Sequence, residues 1–81
     1  MKFSKALKAL KESKRVVRTG WKGGEAYVQL YRTSAVILED DELVVRKVNP
    51  FLLIGVAGED NLSVYQPTSC DVLAEDWKIV D

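Results

Sequence analysis

A glycine-rich bend around one tryptophan constrains the chain more than any other stretch. In Arg18-Thr19-Gly20-Trp21-Lys22-Gly23-Gly24, three glycines lie within five residues, and segments typical of β-strands flank the bend on both sides. Glycine tolerates positive φ and leaves room for the close approach of another group. Two interpretations of Trp21 follow. Either it caps the core at a hairpin bend, or its ring is a platform on which a planar ligand stacks.

The length of 81 residues predicts a single domain over residues 1–81. A domain of this size buries only about 60% of its chain surface, so self-association is one way for it to gain stability. Hydrophobic residues (47%) and charged residues (30%) are in the usual range of folded proteins, which excludes a disordered chain. No apolar run approaches the about 20 residues of a membrane span, and the lysine-rich start lacks the apolar core of a signal peptide. We therefore expect a cytoplasmic protein with no membrane partner.

Charge is distributed unevenly along the chain. Residues 1–24 hold eight Lys and Arg against Glu12 alone, a balance of +7, while residues 25–81 hold four against eleven acidic residues, a balance of −7. This division suits head-to-tail packing between chains, or an anionic ligand held by the basic segment. Long nucleic acid is not expected as a partner, because the acidic remainder would repel the phosphates that flank a basic patch.

The residues that usually carry catalysis are scarce. The chain has no histidine and one cysteine, Cys70, so a disulfide within the chain and a Cys/His zinc site are both unavailable, and Cys70 is expected to be a small buried residue. No nucleophile stands beside a base, so we expect neither an enzyme nor a cofactor. The carboxylates of Glu39–Glu42 lack the ligand spacing of a calcium loop and are expected to form an exposed hairpin loop.

Hydrophobic periodicity predicts an α+β domain in which a helix covers one side of a sheet. Ser4 is expected to N-cap a helix over residues 5–13, with its lysines facing outward. Asn49-Pro50 is expected to break a strand just before the central and most apolar one. The predicted strands lie at residues 15–18, 26–31, 35–38, 43–45, 51–57, 62–65 and 77–80.

Two of these strands have a clear inward and outward face. In residues 26–31, alternation directs Ala26, Val28 and Leu30 to the helix, and Tyr27, Gln29 and Tyr31 to the opposite face, where a subunit or ligand would dock. In the last strand, alternation predicts that Trp77 and Ile79 point inward, with Trp77 part of the core.

The stretch Gln66-Pro67-Thr68-Ser69-Cys70-Asp71 also has chemical character. Thr68 and Asp71 have the spacing of a capping box, which predicts a single helical turn over residues 71–74. The first amides of this turn, with the hydroxyls of Thr68 and Ser69, form a polar cup that can accept an anion or ribose oxygens. The alternative is that these groups cap only one another.

Three patterns occur together in the chain: F-x-x-A-L-x-A-L-K-x-x-K-x-V-x-R-x-G-W from Phe3 to Trp21, P-F-L-L from Pro50, and S-C-D-V-L-A-E-D-W ending at Trp77. Over nearly its whole length the chain resembles the second type of the Thoeris anti-defence sponge family, small proteins of phages and prophages. The resemblance implies a helix packed on a small antiparallel β-sheet. It also implies homo-oligomers, typically tetramers, whose pockets between subunits sequester cyclic nucleotide signals without cleaving them. These signals are cyclic ADP-ribose isomers and, in some members, cyclic dinucleotides.

The resemblance assigns roles to individual residues. Trp21 matches the tryptophan expected to stack on a base, and Arg18 matches the arginine before it. Tyr65 takes the place of a common tryptophan, Thr68 that of a common serine, and Asp71 matches the acid that follows. The residues and the resemblance together give this expected ligand-binding set: Arg18, Trp21, Gly23, Tyr27, Tyr65, Pro67, Thr68, Ser69 and Asp71. The chain departs from the family where only Arg32-Thr33-Ser34 stands between the second and third predicted strands, since members often carry a longer insert there.

The sequence therefore favours a phage-type binding protein that sequesters a cyclic nucleotide. Stacking rings with cationic and hydroxyl donors suit a nucleotide-like ligand, and sequestration needs affinity without a chemical step. The alternative is a protein-interaction module in which Trp21 and the tyrosine face contact a host protein and inhibit or recruit it.

Overall fold

The computed structural model describes residues 1–80 and has the predicted α+β architecture. The elements are α1 (Phe3–Lys11), β1 (Arg15–Arg18), β2 (Glu25–Glu39), β3 (Glu42–Val56), β4 (Leu62–Tyr65), α2 (Ser69–Leu73) and β5 (Trp77–Val80). The strands form one antiparallel sheet in the order β4-β3-β2-β1-β5. The helix lies on one face of this sheet, as predicted.

The core lies between α1 and the strands at one end of the sheet. Ala6, Ala9 and Leu10 are buried on α1, and the small alanines let the helix approach Val16, Val28 and Trp77 closely. Phe3 packs on Trp77, with ring centroids 5.6 Å apart. Trp77 is 2% exposed, which confirms its predicted place in the core.

The start of α1 differs from the prediction. The helix begins at Phe3 rather than at residue 5, Lys2 is in the N-cap position, and no side chain caps the first turn. Ser4 is therefore not the N-cap, because the apolar contact of Phe3 with the core extends the helix by two residues. The lysines of α1 are exposed, as predicted.

β2 and β3 form one long hairpin where shorter strands were predicted. Arg32-Thr33-Ser34 continues β2, and Pro50 lies inside β3. The pairing passes from Tyr31↔Phe51 to Thr33↔Val48, so the single residue Arg32 faces both Asn49 and Pro50 in a β-bulge. A bulge leaves backbone groups out of the ladder, and a proline there costs no hydrogen bond. The expected strand break at Asn49-Pro50 is therefore wrong.

Beyond the bulge the hairpin projects from the sheet as an arm, residues 33–48. Within residues 1–80, β1 pairs with β2 at Val16↔Val28 and β4 pairs with β3 over Leu52–Gly55, so neither flanks the arm. Asp40 and Asp41 form its two-residue turn with φ of 48° and 63°, and both values suit Asp. The exposed acidic hairpin predicted at Glu39–Glu42 is confirmed.

Three further expectations about burial and order are wrong. The predicted central strand at residues 51–57 belongs to β3, which is second from the edge, whereas β2 is the middle strand. Ile79 is 44% exposed, because β5 is an edge strand and α1 covers only its start. Cys70 is exposed, since α2 buries Asp71 instead of its neighbour.

The face of the sheet opposite α1 has no second layer in residues 1–80. Here the Arg15 guanidinium lies 4.7 Å from the centre of the Tyr27 ring, and Tyr31 packs on Phe51 at 5.6 Å. Gly55 makes room for Tyr27, because a Cβ at residue 55 would lie 3.0 Å from its ring. No helix within residues 1–80 is long and apolar enough to cross a membrane.

Candidate functional site

The glycine-rich bend is held in place by Asp76, which immediately precedes β5. Its carboxylate accepts hydrogen bonds from the Gly20 amide (2.8 Å) and from Nε of Arg18 (2.8 Å), and its carbonyl accepts one from the Thr19 amide (3.0 Å). A Cβ on Gly20 would lie 2.7 Å from Oδ2 of Asp76. A side chain at position 20 would therefore displace this carboxylate from its hydrogen bonds with the bend.

Asp71 on α2 joins three elements that are distant in sequence. Its Oδ1 accepts a hydrogen bond from Nη1 of Arg18 on β1 (2.9 Å), and its Oδ2 accepts one from the Tyr65 hydroxyl on β4 (2.6 Å). Asp71 is 6% exposed, and the structure satisfies its charge with donors on both oxygens. A buried carboxylate with such donors fixes the positions of its partners. We call Arg18, Trp21, Tyr65, Thr68, Asp71 and Asp76 the Asp71 cluster.

The capping box predicted from the sequence is present at the start of α2. The Thr68 hydroxyl accepts from the Asp71 amide at 3.2 Å, and Oδ2 of Asp71 accepts from the Thr68 amide at 3.1 Å. The helix spans Ser69–Leu73, one to two residues earlier than residues 71–74. Thr68 and Asp71 cap each other, as the alternative to the polar cup anticipated.

Trp21 lies at the edge of this cluster and is partly buried. Its ring makes edge contacts with Tyr65 (centroids 5.9 Å apart) and with Trp77 (5.3 Å). The indole of Trp77 is in turn fixed by a hydrogen bond from Nε1 to the Asp71 carbonyl at 2.9 Å. Edge contacts of this kind stabilise a ring and hold its orientation. Trp21 therefore both packs against the core and remains part of the surface.

The protonation states of the cluster follow from its hydrogen bonds. Burial acts to raise the pKa of Asp71, but hydrogen bonds from Tyr65, Thr68 and Arg18 outweigh it and hold the pKa at about 2 instead of 3.8. Burial raises the pKa of the Tyr65 hydroxyl, and the hydrogen bond to Asp71 raises it further. At neutral pH, Tyr65 is thus a neutral donor to an ionised carboxylate.

Arg18 is engaged by two carboxylates. Its hydrogen bonds to Asp76 and Asp71 raise its pKa, and the hydrogen bond from Arg18 lowers that of Asp76. All three groups are ionised at neutral pH, so together they carry a net charge of −1. The positive charge of Arg18 is consequently already compensated by these two carboxylates.

The other predicted site residues lie in different places. Pro67, Thr68 and Ser69 line a surface depression of about 320 Å³ beside α2. The Gly23 amide donates to Oε2 of Glu25 at 3.0 Å within the bend. Tyr27 lies on the open face of the sheet, where it contacts Arg15, so within one chain it is separated from Trp21 by the sheet.

Asp76 is the residue of this cluster that was not among the predicted site residues. It lies in the C-terminal pattern ending at Trp77, but its partner Arg18 is 58 residues away in sequence, so sequence spacing cannot reveal the pair. Among residues 1–80, no group of three or more His, Cys, Asp and Glu side chains is placed to hold a metal ion.

The fold and the Asp71 cluster define a small α+β domain whose tryptophan is held rigidly next to buried, ion-paired polar groups. The chain belongs to the Tad2-like family, described as the Thoeris anti-defense 2-like domain, whose model matches residues 1–80. It is 30% identical over 84 residues to the protein "Thoeris anti-defense 2" of Bacillus phage SP01, and the match covers 99% of this chain and 94% of that protein. Membership of this family supports a phage anti-defence role.

Proposed function

We propose that the protein exerts its anti-defence role by binding and sequestering a cyclic nucleotide immune signal without cleaving it. The ligand class is a cyclic ADP-ribose isomer or a cyclic dinucleotide, captured in the cytoplasm of the host cell. The observation that carries the proposal is the Trp21 ring, held by Tyr65 and Trp77 at the edge of the Asp71 cluster. A ring held in advance loses little entropy when a base stacks on it.

The polar groups of the cluster would recognise the sugar and base edges of such a ligand. Because Arg18 is already paired with Asp71 and Asp76, the cluster suits ligand hydroxyl and amino groups better than phosphate oxygens. Nη2 of Arg18 has no hydrogen-bond partner within residues 1–80, and Lys22 is exposed on the same bend. We assign the phosphate contact to Lys22, and a contact with a ligand hydroxyl or carbonyl oxygen to Nη2 of Arg18.

Sequestration by a homo-oligomer, typically a tetramer, accounts for the position of Tyr27. Tyr27 is on the open sheet face, away from Trp21, so a pocket that uses both residues must be formed by two copies of the chain. The open face carries the apolar and aromatic side chains typical of subunit contacts, including Tyr31 (42% exposed) and Val64 (64% exposed).

Calorimetry of the protein with a panel of cyclic ADP-ribose isomers and cyclic dinucleotides tests the proposal. We expect one class to bind, Trp21→Ala to weaken it by about ten- to a hundredfold, and Ile79→Ala, at a half-exposed apolar residue outside the cluster and the open face, to change it less than threefold. Chromatography of the ligand released on denaturation should return it intact. Altered ligand would refute capture without cleavage.

The same preparation separates this proposal from a protein-interaction module. Purified protein from cells that make the signal should carry excess absorbance near the nucleotide maximum, and Trp21→Ala should lose it. If no member of the panel binds and Trp21→Ala instead abolishes capture of a host protein, the interaction module is the correct function.

A further inference from the structure

The two ends of the molecule carry complementary surfaces. The arm leaves the end of the sheet at which Arg32 donates to the carbonyl of Lys11, the last residue of α1 (3.3 Å). At the other end of α1, Phe3 packs on Trp77 beside α2. The molecule is 49 Å long, and an arm of seven residue pairs and a two-residue turn accounts for about 25 Å of strand length. The arm tip therefore cannot reach the α2 end of its own chain.

One face of the arm is apolar and exposed near the tip. The pairs Val36↔Val45 and Leu38↔Leu43 lie on this face, and their side chains are 65–76% exposed. Next to them, the turn carries Asp40, Asp41 and Glu42, which form no ion pair within residues 1–80. This surface combines leucines with unpaired negative charge, and apolar patches with a polar rim are typical of interaction sites.

The α2 end offers an apolar groove that is flanked by positive charge on α1. The groove lies between α1 and α2, has a volume of about 490 Å³, and is lined by Phe3, Leu7, Val72 and Leu73, together with Lys2 and Glu75, which pair with each other at 3.8 Å. Leu73 is 78% exposed. Ser4 and Leu7 line the groove, and Lys8 and Lys11 lie four residues further along α1, next to Ser4 and Leu7 respectively, and form no ion pair within residues 1–80.

We propose that the arm tip of one copy docks into the α1/α2 groove of a second copy. Leu38 and Leu43 fill the groove next to Leu73, and the carboxylates of the turn meet the α1 lysines. This contact specifies the self-association that is part of the proposed function, and it requires no nucleotide. Because arm and groove lie at opposite ends, two antiparallel copies make the contact twice, which closes the pair.

Sedimentation of the full chain tests the contact. Leu38→Ser/Leu43→Ser in the arm and Leu73→Ser in the groove should each weaken self-association at least ~30-fold, because buried apolar anchors carry most of the affinity of an interface. Ile79→Thr is the matched control, since Ile79 is 44% exposed on β5, on the α1 side of the sheet and outside both surfaces; it should change the dissociation constant less than ~3-fold. Melting of the dilute monomers should be unaffected in the arm and groove variants.

Mixing the arm variant with the groove variant provides a second measurement. Unfolded variants could not restore the complex, so this result distinguishes loss of the contact from loss of folding. The groove of the arm variant and the arm of the groove variant are both intact, so the mixture should form a one-to-one complex through a single contact, weakened by salt. If the arm variant associates like the parent, or the mixture stays monomeric, the docking is wrong although self-association stands. A parent chain that is monomeric at ~100 μM would refute both. Calorimetry with the nucleotide panel tests the proposed function independently, because a failure of the protein to bind nucleotides would not change the result on docking between copies.

Discussion

Replacing Asp71 by Asn removes one charge from a buried site while keeping the shape of the side chain. The amide oxygen can keep the hydrogen bonds from the Tyr65 hydroxyl and the Thr68 amide, which both reach Oδ2. The amide nitrogen then faces Nη1 of Arg18, and two donors meet where a charge-assisted hydrogen bond of 2.9 Å existed.

The lost hydrogen bond sets the expected magnitude. A hydrogen bond between charged, largely buried groups contributes about 1.5–3 kcal/mol, and the side chain of Asp71 is only 8% exposed. Asp71→Asn should therefore lower the free energy of unfolding by ~2–3 kcal/mol, which in a domain of this size lowers Tm by ~10–20 °C. This is a large share of the ~4–12 kcal/mol expected for a chain of this length.

The pH dependence of stability gives an independent test of the same group. The folded pKa of Asp71 lies below its ordinary value, so the carboxylate stabilises the fold above pH 3.8, and this contribution is lost as the pH falls from 3.8 to about 2. Asp71→Asn should flatten that part of the acid limb, leaving the contribution of Asp76, whose pKa is also lowered.

Urea unfolding and thermal melting by circular dichroism, at pH 7 and across pH 2–5, are the appropriate assays. Asp60→Asn is the matched control, because Asp60 is exposed in the β3–β4 turn and should leave Tm unchanged. If Asp71→Asn melts within ~3 °C of the parent at pH 7 and keeps its acid limb, the Asp71 cluster is not the structural centre argued above.

Four other substitutions have expected outcomes. Trp77→Ala should cost ~3–5 kcal/mol by urea unfolding, whereas Trp21→Ala should cost less, because Trp21 is only partly buried; equal costs would contradict the ligand platform. Gly20→Ala should cost ~1–3 kcal/mol, since its Cβ would displace Asp76, and an unchanged Tm would show that the bend adapts. Ser13→Gly should gain ~0.5–1 kcal/mol, because Ser13 follows α1 with φ of 67°, and a loss would mean that the Ser13 side chain has a contact of its own.

Sequence patterns predicted those elements correctly whose structure depends on interactions between residues close together in the chain. β1 spans Arg15–Arg18 and β4 spans Leu62–Tyr65 as expected from β-branched and aromatic content, and the Thr68/Asp71 capping box forms as its spacing requires. The predicted strand break at Pro50 was wrong because proline, which lacks a backbone N–H, fits inside a strand at a β-bulge. The position of this bulge depends on the register between β2 and β3. Register is a tertiary property that no single segment contains.

The candidate site was predicted in part, for a related reason. Arg18, Trp21, Tyr65, Thr68 and Asp71 were all expected at one site, and the structure brings them together. What the sequence could not show is that Arg18 is shared by two carboxylates that lie 53 and 58 residues away. Sequence alone therefore placed Arg18 among the ligand-binding residues, without the acidic partners that compensate its charge.

The ion pairs of Arg18 with Asp71 and Asp76 show how a small domain can keep a binding surface rigid. In a chain with few buried side chains, the apolar contacts of the bend come from Trp21, and Asp76 fixes the bend through the Gly20 amide while also holding Arg18. Asp71 holds the opposite side of Arg18 and the Tyr65 ring, which contacts Trp21. The same hydrogen bonds thus stabilise the fold and position the tryptophan. Weakening them should lower affinity and stability together, whereas truncating Trp21 itself should lower affinity more than stability.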